Sequence, residues 1–152
     1  MEIVKPTPYH VHDFIDLCKS FFKEGIDPYG MGLNRDNAEA TYFQWIKTQP
    51  GFMLEHDGKI IGCIAGLIVA HWLDYKTLCF MEYIWYVLPE HRKSRAGLML
   101  LRAMQKELEK RGVKKMVMGH AHSMKAEHLE KLYTKMGFVK LETHYIKDVN
   151  HG

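Results

Sequence analysis

The run from Leu78 to Gly119 constrains the fold of this chain more than any other part of it. Leu78 to Val87 is rich in aromatic and β-prone residues, and Pro89 ends it, as befits a strand stopped by a residue without an amide donor. Leu98, Leu101, Met104 and Leu108 then recur at i, i+3, i+6 and i+10. That spacing lays one apolar stripe along a helix, which Arg111-Gly112 closes. Val113 to Gly119 follows as a short strand. The unit predicts a parallel crossover, the one candidate for such a connection in the chain.

The flanking segments supply local structure. Residues 2–5 read as a short first strand closed by Pro6 and Pro8. From Tyr9 to Lys23, apolar residues such as Val11, Phe14, Ile15 and Phe22 fall at helical spacing. Glu24 to Gly32 reads as a glycine-rich loop with one proline. Asn34 or Asp36 caps a second helix running to about Thr48, and Pro50-Gly51 stops it. Phe52–Glu55, the turn His56-Asp57-Gly58-Lys59 and Ile60–Trp72 form a hairpin pattern. Ser123 caps a last helix ending at Gly137, and Phe138 to Val149 returns as strand. The order β-α-α-β-β-β-α-β-α-β predicts an α+β class (often filed α/β) with a central, mostly antiparallel sheet flanked by helices.

Composition narrows the setting. A length of 152 residues suits a single domain, 1–152, and 47% hydrophobic with 26% charged content is globular rather than disordered. Ile60 to Leu73 is too short to span a bilayer and carries glycines and a histidine, and the start of the chain lacks the basic and apolar run of a signal peptide. The expectation is a cytoplasmic protein with no membrane partner. Cys18, Cys63 and Cys79 are odd in number and form no CxxC, so they read as reduced thiols. A net charge of +3 does not argue for nucleic acid. Nor does the basic stripe Arg102, Lys106, Lys110, Arg111, Lys114 and Lys115, since no aromatic platform interleaves it.

The chemistry concentrates where the strand hands over to the helix, at Val87-Leu88-Pro89-Glu90-His91-Arg92-Lys93-Ser94-Arg95-Ala96-Gly97. The first amides of a helix lack internal partners and carry the positive end of its dipole, which suits an anion such as phosphate. Arg92, Lys93 and Arg95 add full charges there; a solvated basic loop would have the same composition. Upstream, Glu82 is an acid inside the apolar run Phe80, Met81, Tyr83, Ile84 and Trp85, so it needs a partner or a wet cleft. His120 and His122 alternate around Ala121 just after a strand and would share one face if extended. Their spacing would suit a metal pair, but no third ligand is evident and none is expected. Glu24 and Asp27 in the glycine-rich loop could attract a cationic amine, with Tyr29 and Met31 covering its aliphatic part.

V-x-P-x-x-R-x-x-R-x-G at residues 87–97 and Leu132-Tyr133-x-x-Met136-Gly137-Phe138, in this order of elements, resemble the GNAT (Gcn5-related N-acetyltransferase) superfamily over essentially the whole chain. The resemblance implies the acyl-CoA N-acyltransferase fold and an enzyme that moves the acetyl group of acetyl-CoA to a primary amine by direct attack in a ternary complex. The pyrophosphate would sit on the amides of Arg92, Lys93, Ser94, Arg95, Ala96, Gly97 and Leu98. Pantetheine would run beside Tyr86 and Val87 like an added strand. Glu82 matches the position of the family's strand glutamate that helps deprotonate the amine, and Tyr133 the tyrosine that protonates the leaving thiolate. The acceptor would be a small molecule or a peptide or protein amine, met by Glu24, Asp27, Tyr29, His120 and His122, and a homodimer fits the family. Two positions depart from its pattern. Arg95 stands where a glycine is usual, which is unstrained if residue 95 begins the helix with negative φ. Ala126 stands where many members carry an asparagine. These departures keep an inactive CoA-binding or protein-interaction module as the alternative.

Overall fold

Turn chemistry fixes the centre of the sheet. Asp57 and Gly58 have φ of 50° and 74°, the left-handed pair that a tight hairpin requires, and they join β2 (Gly51–His56) to β3 (Lys59–His71). A second hairpin leads into β4 (Asp74–Val87), which pairs antiparallel with β3. The computed structural model describes residues 1–124 and 126–149. Among these, β1 (Glu2–Val4) pairs with β2, and β5 (Lys115–Val117) adds to β4, giving the order β1-β2-β3-β4-β5. Three pairings are antiparallel and the last is parallel, as the crossover predicts.

Side-chain alternation places a helical layer on each face. Met53, Cys63, Ala65, Ile84 and Tyr86 pack under α1 (Val11–Phe21) and α2 (Arg35–Thr48), through Phe14, Ile15, Leu17, Tyr42 and Trp45. The opposite face, with Phe52, Leu54, Ile61, Ile64, Phe80 and Val87, packs on Leu100, Leu101, Met104 and Leu108 of α3 (Ala96–Lys110). Leu100, Leu101 and Met104 are wholly buried, each a stabilisation of roughly 1.5–3 kcal/mol on apolar transfer. The N-cap of α2 is Asn34, whose side chain accepts the Asn37 amide at 3.0 Å. Among the described residues no helix is long and apolar enough to cross a membrane.

An irregularity in β4 sets which way its side chains point. Ala65 faces Ile84 but Gly66 faces Glu82, so β4 carries an extra residue, Tyr83, at a β-bulge. The bulge exchanges the faces of β4: Phe80 belongs to the α3 side, whereas Ile84 and Tyr86 belong to the α1 side. Gly66 permits it, because a Cβ there would lie 2.1 Å from the Met81 carbonyl oxygen.

Three expectations are corrected. Glu24 to Gly32 is not a loose loop. The α1 helix runs on through a π-helical turn, Phe22–Ile26, and a 3-10 turn, Asp27–Tyr29, before Gly30 breaks it with φ of 72°. The Ser123 hydroxyl donates to the Gly25 carbonyl at 2.8 Å, and the residues it would cap at the start of α4 (Ala126–Lys135) lie in part outside those described. The strand expected over 138–149 is not formed, and β5 covers only three of the seven residues expected to be strand. Val139, Leu141 and Tyr145 alternate as strand residues do, yet stand 88%, 71% and 94% exposed. Alternation supplies a face, but a strand also needs a neighbour to take its amides, and that neighbour is not set by local sequence.

Candidate functional site

β4 and β5 run together for three residue pairs, Cys79–Lys115, Phe80–Met116 and Met81–Val117, and then part. Beyond that point, among the described residues, Glu82 to Val87 has a partner strand on one side only, β3. The gap exposes main-chain groups of β4, and the bulge at Tyr83 places Glu82 where it opens.

Glu82 and Tyr133 meet at one residue, Gly119. Glu82 Oε2 accepts the Gly119 amide at 3.1 Å, and the Tyr133 hydroxyl donates to the Gly119 carbonyl at 2.7 Å. Burial pushes the Glu82 carboxyl up to about 7, with the Gly119 amide pulling weakly the other way. Tyr133 is pushed upward as well, first by burial and then by the charge of Glu82, so its phenol keeps its proton at neutral pH. A carboxyl that titrates near neutrality beside a protonated phenol is an arrangement suited to taking and giving protons. Trp85 and His120 flank the tyrosine, with ring centroids 5.9 and 6.4 Å away. His120 also lies 4.0 Å from Glu130 of α4.

The start of α3 lies against the same wall, since Trp85 Nε1 donates to the Gly97 carbonyl at 3.2 Å. A Cβ on Gly97 would sit 3.4 Å from the Trp85 ring, so this approach suits a small residue. Arg95 is the N-cap with φ of −81°, which removes any backbone strain from having arginine there. Several turn amides are already taken. Arg92 N bonds Pro89 O, Ser94 N bonds His91 O, and Ala96 N bonds Ser94 Oγ. Among the described residues, the amides of Lys93, Arg95, Gly97 and Leu98 have no such partner, so these four, with the Lys93 and Arg95 charges, are the donors left for an anion.

The structure separates other residues that the sequence pattern groups together. Arg92 does not extend over the α3 amides: its guanidinium is paired with Glu24, and its Nε donates to the Val87 carbonyl at 2.8 Å. Tyr86 shares that carboxylate through its hydroxyl at 2.8 Å. Glu24 is thus drawn into this pairing, whereas Asp27 lies exposed at the next turn and Tyr29 is half-buried. His120 and His122 do not share a face either. The strand ends before them, leaving His120 against Tyr133 and His122 exposed in a turn. The Ala126 side chain lies outside those described.

Gly119, Trp85 and the bulge are features of this site that the sequence pattern does not single out. Gly66 inside a strand pattern is the available signal for the bulge. The role of Gly119 rests on its backbone, which leaves no side-chain trace in a sequence.

Residues 14–138 match the family described as Acetyltransferase (GNAT) family. No curated protein matches the chain in sequence. Among solved structures, the chain superposes on a ribosomal-protein-alanine N-acetyltransferase from Brucella melitensis biovar Abortus 2308 with a TM-score of 0.74 at 16% identity, covering 97% of this chain and 99% of that one. The aminoglycoside N-acetyltransferase AAC(6')-Iy in complex with CoA gives 0.75 at 18% identity, covering 97% and 93%. A predicted acetyltransferase from Clostridium acetobutylicum, solved with acetyl-CoA, gives 0.75 at 12% identity, covering 97% and 96%. At such identities the likeness is one of fold.

Proposed function

This chain belongs to the acetyltransferase (GNAT) family, and from that premise we propose that it transfers the acetyl group of acetyl-CoA to a primary amine by direct attack in a ternary complex. The observation that carries the reading is the convergence of Glu82 and Tyr133 on the backbone amide and carbonyl of Gly119, at the mouth of the gap between β4 and β5. The donors at the start of α3 fit a pyrophosphate: amides at Lys93, Arg95, Gly97 and Leu98, two cationic side chains and the positive end of the helix dipole. The unpaired edge of β4 suits an amide-bearing arm laid alongside it.

Bound acetyl-CoA would supply the acetyl group as a thioester, already activated toward an amine. Glu82 takes a proton from the ammonium form of the acceptor, so that the nitrogen lone pair forms the new C–N bond. With its carboxyl near 7, about half of the molecules hold the basic form at neutral pH. Tyr133 turns its hydroxyl from the Gly119 carbonyl to the sulfur as the C–S bond breaks, and gives it a proton. The nitrogen gives up its second proton to the Tyr133 phenolate as the amide forms, and solvent removes the proton held by Glu82. No cysteine takes part: Cys63 and Cys79 are buried, and burial pushes the Cys18 thiol up to about 12.

Titration calorimetry with acetyl-CoA, followed by a panel of small-molecule, peptide and protein amines with CoA thiol release as readout, tests the reading. The full chain is expected to bind acetyl-CoA, Gly97→Trp to lose that binding, and at least one amine to release CoA. Binding without release from any amine would instead establish the non-catalytic CoA-binding module. A second copy is part of the same reading, supported by the exposed apolar residues of the C-terminal segment, and light scattering after size exclusion reads it.

A further inference from the structure

The π-helical turn Phe22–Ile26 is gripped from both banks of the gap. On the β4 bank, Arg92 commits its whole guanidinium edge. Nε donates to the Val87 carbonyl at 2.8 Å, one terminal nitrogen to Glu24 Oε2 at 2.6 Å, and the other to Glu24 Oε1. The Tyr86 hydroxyl bonds Glu24 Oε2 at 2.8 Å, and the guanidinium carbon lies 4.9 Å from the centroid of the Tyr86 ring. On the β5 bank, Ser123 Oγ donates to the Gly25 carbonyl at 2.8 Å. Gly25 lies so near Met124 that a Cβ would stand 2.5 Å from its sulfur. A π-helical turn gives up regular i→i−4 bonding, and such turns recur at functional sites. Here the widened turn is what brings Glu24 and Gly25 to opposite banks.

The charges divide in the same way. Glu24 balances the positive charge of Arg92, whereas Lys93 and Arg95 make no ion pair among the described residues. An anion at the start of α3 therefore meets Lys93 and Arg95 without breaking any pair, but would recruit Arg92 only by stripping Glu24. Val87 O is likewise occupied by Arg92, which leaves the β4 edge below it as the open stretch.

We infer that Arg92 is a positioning residue and not a phosphate ligand: with Glu24 and Tyr86 it clamps the turn Phe22–Ile26 across the gap and so shapes the side from which the amine reaches Glu82. The inference rests on the proposed transfer at that gap. Its chemistry depends on the planar fork of arginine, which lysine carries the charge to imitate but not the geometry.

The test compares the full chain with Glu24→Ala, Arg92→Lys and the double variant. It reads acetyl-CoA affinity by calorimetry, KM and kcat for the best amine of the panel, and backbone hydrogen exchange. Both single variants are expected to raise the amine KM about tenfold, as losing a charge-assisted pair does, with the affinity for acetyl-CoA within about twofold. The double variant is expected to be no worse than either single one, because all three remove the same clamp. Hydrogen exchange is expected to quicken at residues 22–26 and not at 96–98. An Arg92→Lys protein that keeps the wild-type amine KM, or a Glu24→Ala protein that binds acetyl-CoA several-fold more tightly, overturns the inference and returns Arg92 to the phosphate. If the wild type neither binds acetyl-CoA nor releases CoA, the proposed function fails. Hydrogen exchange then decides the clamp alone, unchanged exchange at 22–26 in both variants refuting it.

Discussion

Replacing Glu82 by glutamine should change how stability depends on pH, by an amount set by the burial of its carboxyl. The folded carboxyl titrates at about 7 against an ordinary value of 4.5, because burial penalises its charged form. Between those values the native state holds a proton that the unfolded chain has released. Stability therefore falls as pH rises, by about 1.4 kcal/mol for each pH step. Across the window the loss is about 3 kcal/mol, complete above pH 7 and absent below the unfolded value. Glutamine keeps an oxygen for the Gly119 amide and does not titrate, so the variant escapes the loss. Every other titratable group is common to the two proteins and cancels in the difference. Thermal and urea unfolding of the two proteins at intervals from pH 4.5 to 8 measure it. Glu82→Gln should gain on the wild type through that range, by about 6–12 °C in Tm for a chain of this size. A difference that stays flat with pH would falsify the account of Glu82 as a group desolvated at the bulge, and with it the basis for its role as a base near neutrality.

Two further substitutions probe the site and its frame. Tyr133→Phe removes the 2.7 Å bond to the Gly119 carbonyl, and should cost about 1 kcal/mol of stability and about a hundredfold in kcat, while acetyl-CoA affinity measured by calorimetry holds within about twofold. An equal loss in binding and turnover would make the tyrosine a structural support. Gly66→Ala puts a Cβ 2.1 Å from the Met81 carbonyl oxygen, so the bulge must shift, at about 1–3 kcal/mol by denaturant melting together with a drop in turnover. Wild-type stability and turnover in that variant would mean that the bulge does not aim Glu82.

Much of this protein is written in local sequence. The Asp57-Gly58 turn, the Asn34 cap, the α3 stripe and the parallel crossover arise from residue-scale preferences, and each stands where the sequence puts it. The two motifs that carry the family resemblance, around Arg92–Gly97 and Tyr133, are likewise legible, because helix starts and tyrosine positions are local features. What the sequence left undecided depends on neighbours distant in the chain. Whether 138–149 pairs is settled by what lies beside it, and its alternation alone does not recruit a partner. Glu24 and Arg92 are 68 residues apart, and only the turn of the chain at Phe22–Ile26 joins an expected substrate contact to an expected phosphate contact. The meeting of Glu82 with Tyr133 passes through a glycine backbone and a one-residue bulge. Sequence thus determined which chemical groups the chain possesses and which helices and strands carry them. Tertiary structure decided which groups meet, because desolvation and pairing depend on distance in space and not along the chain.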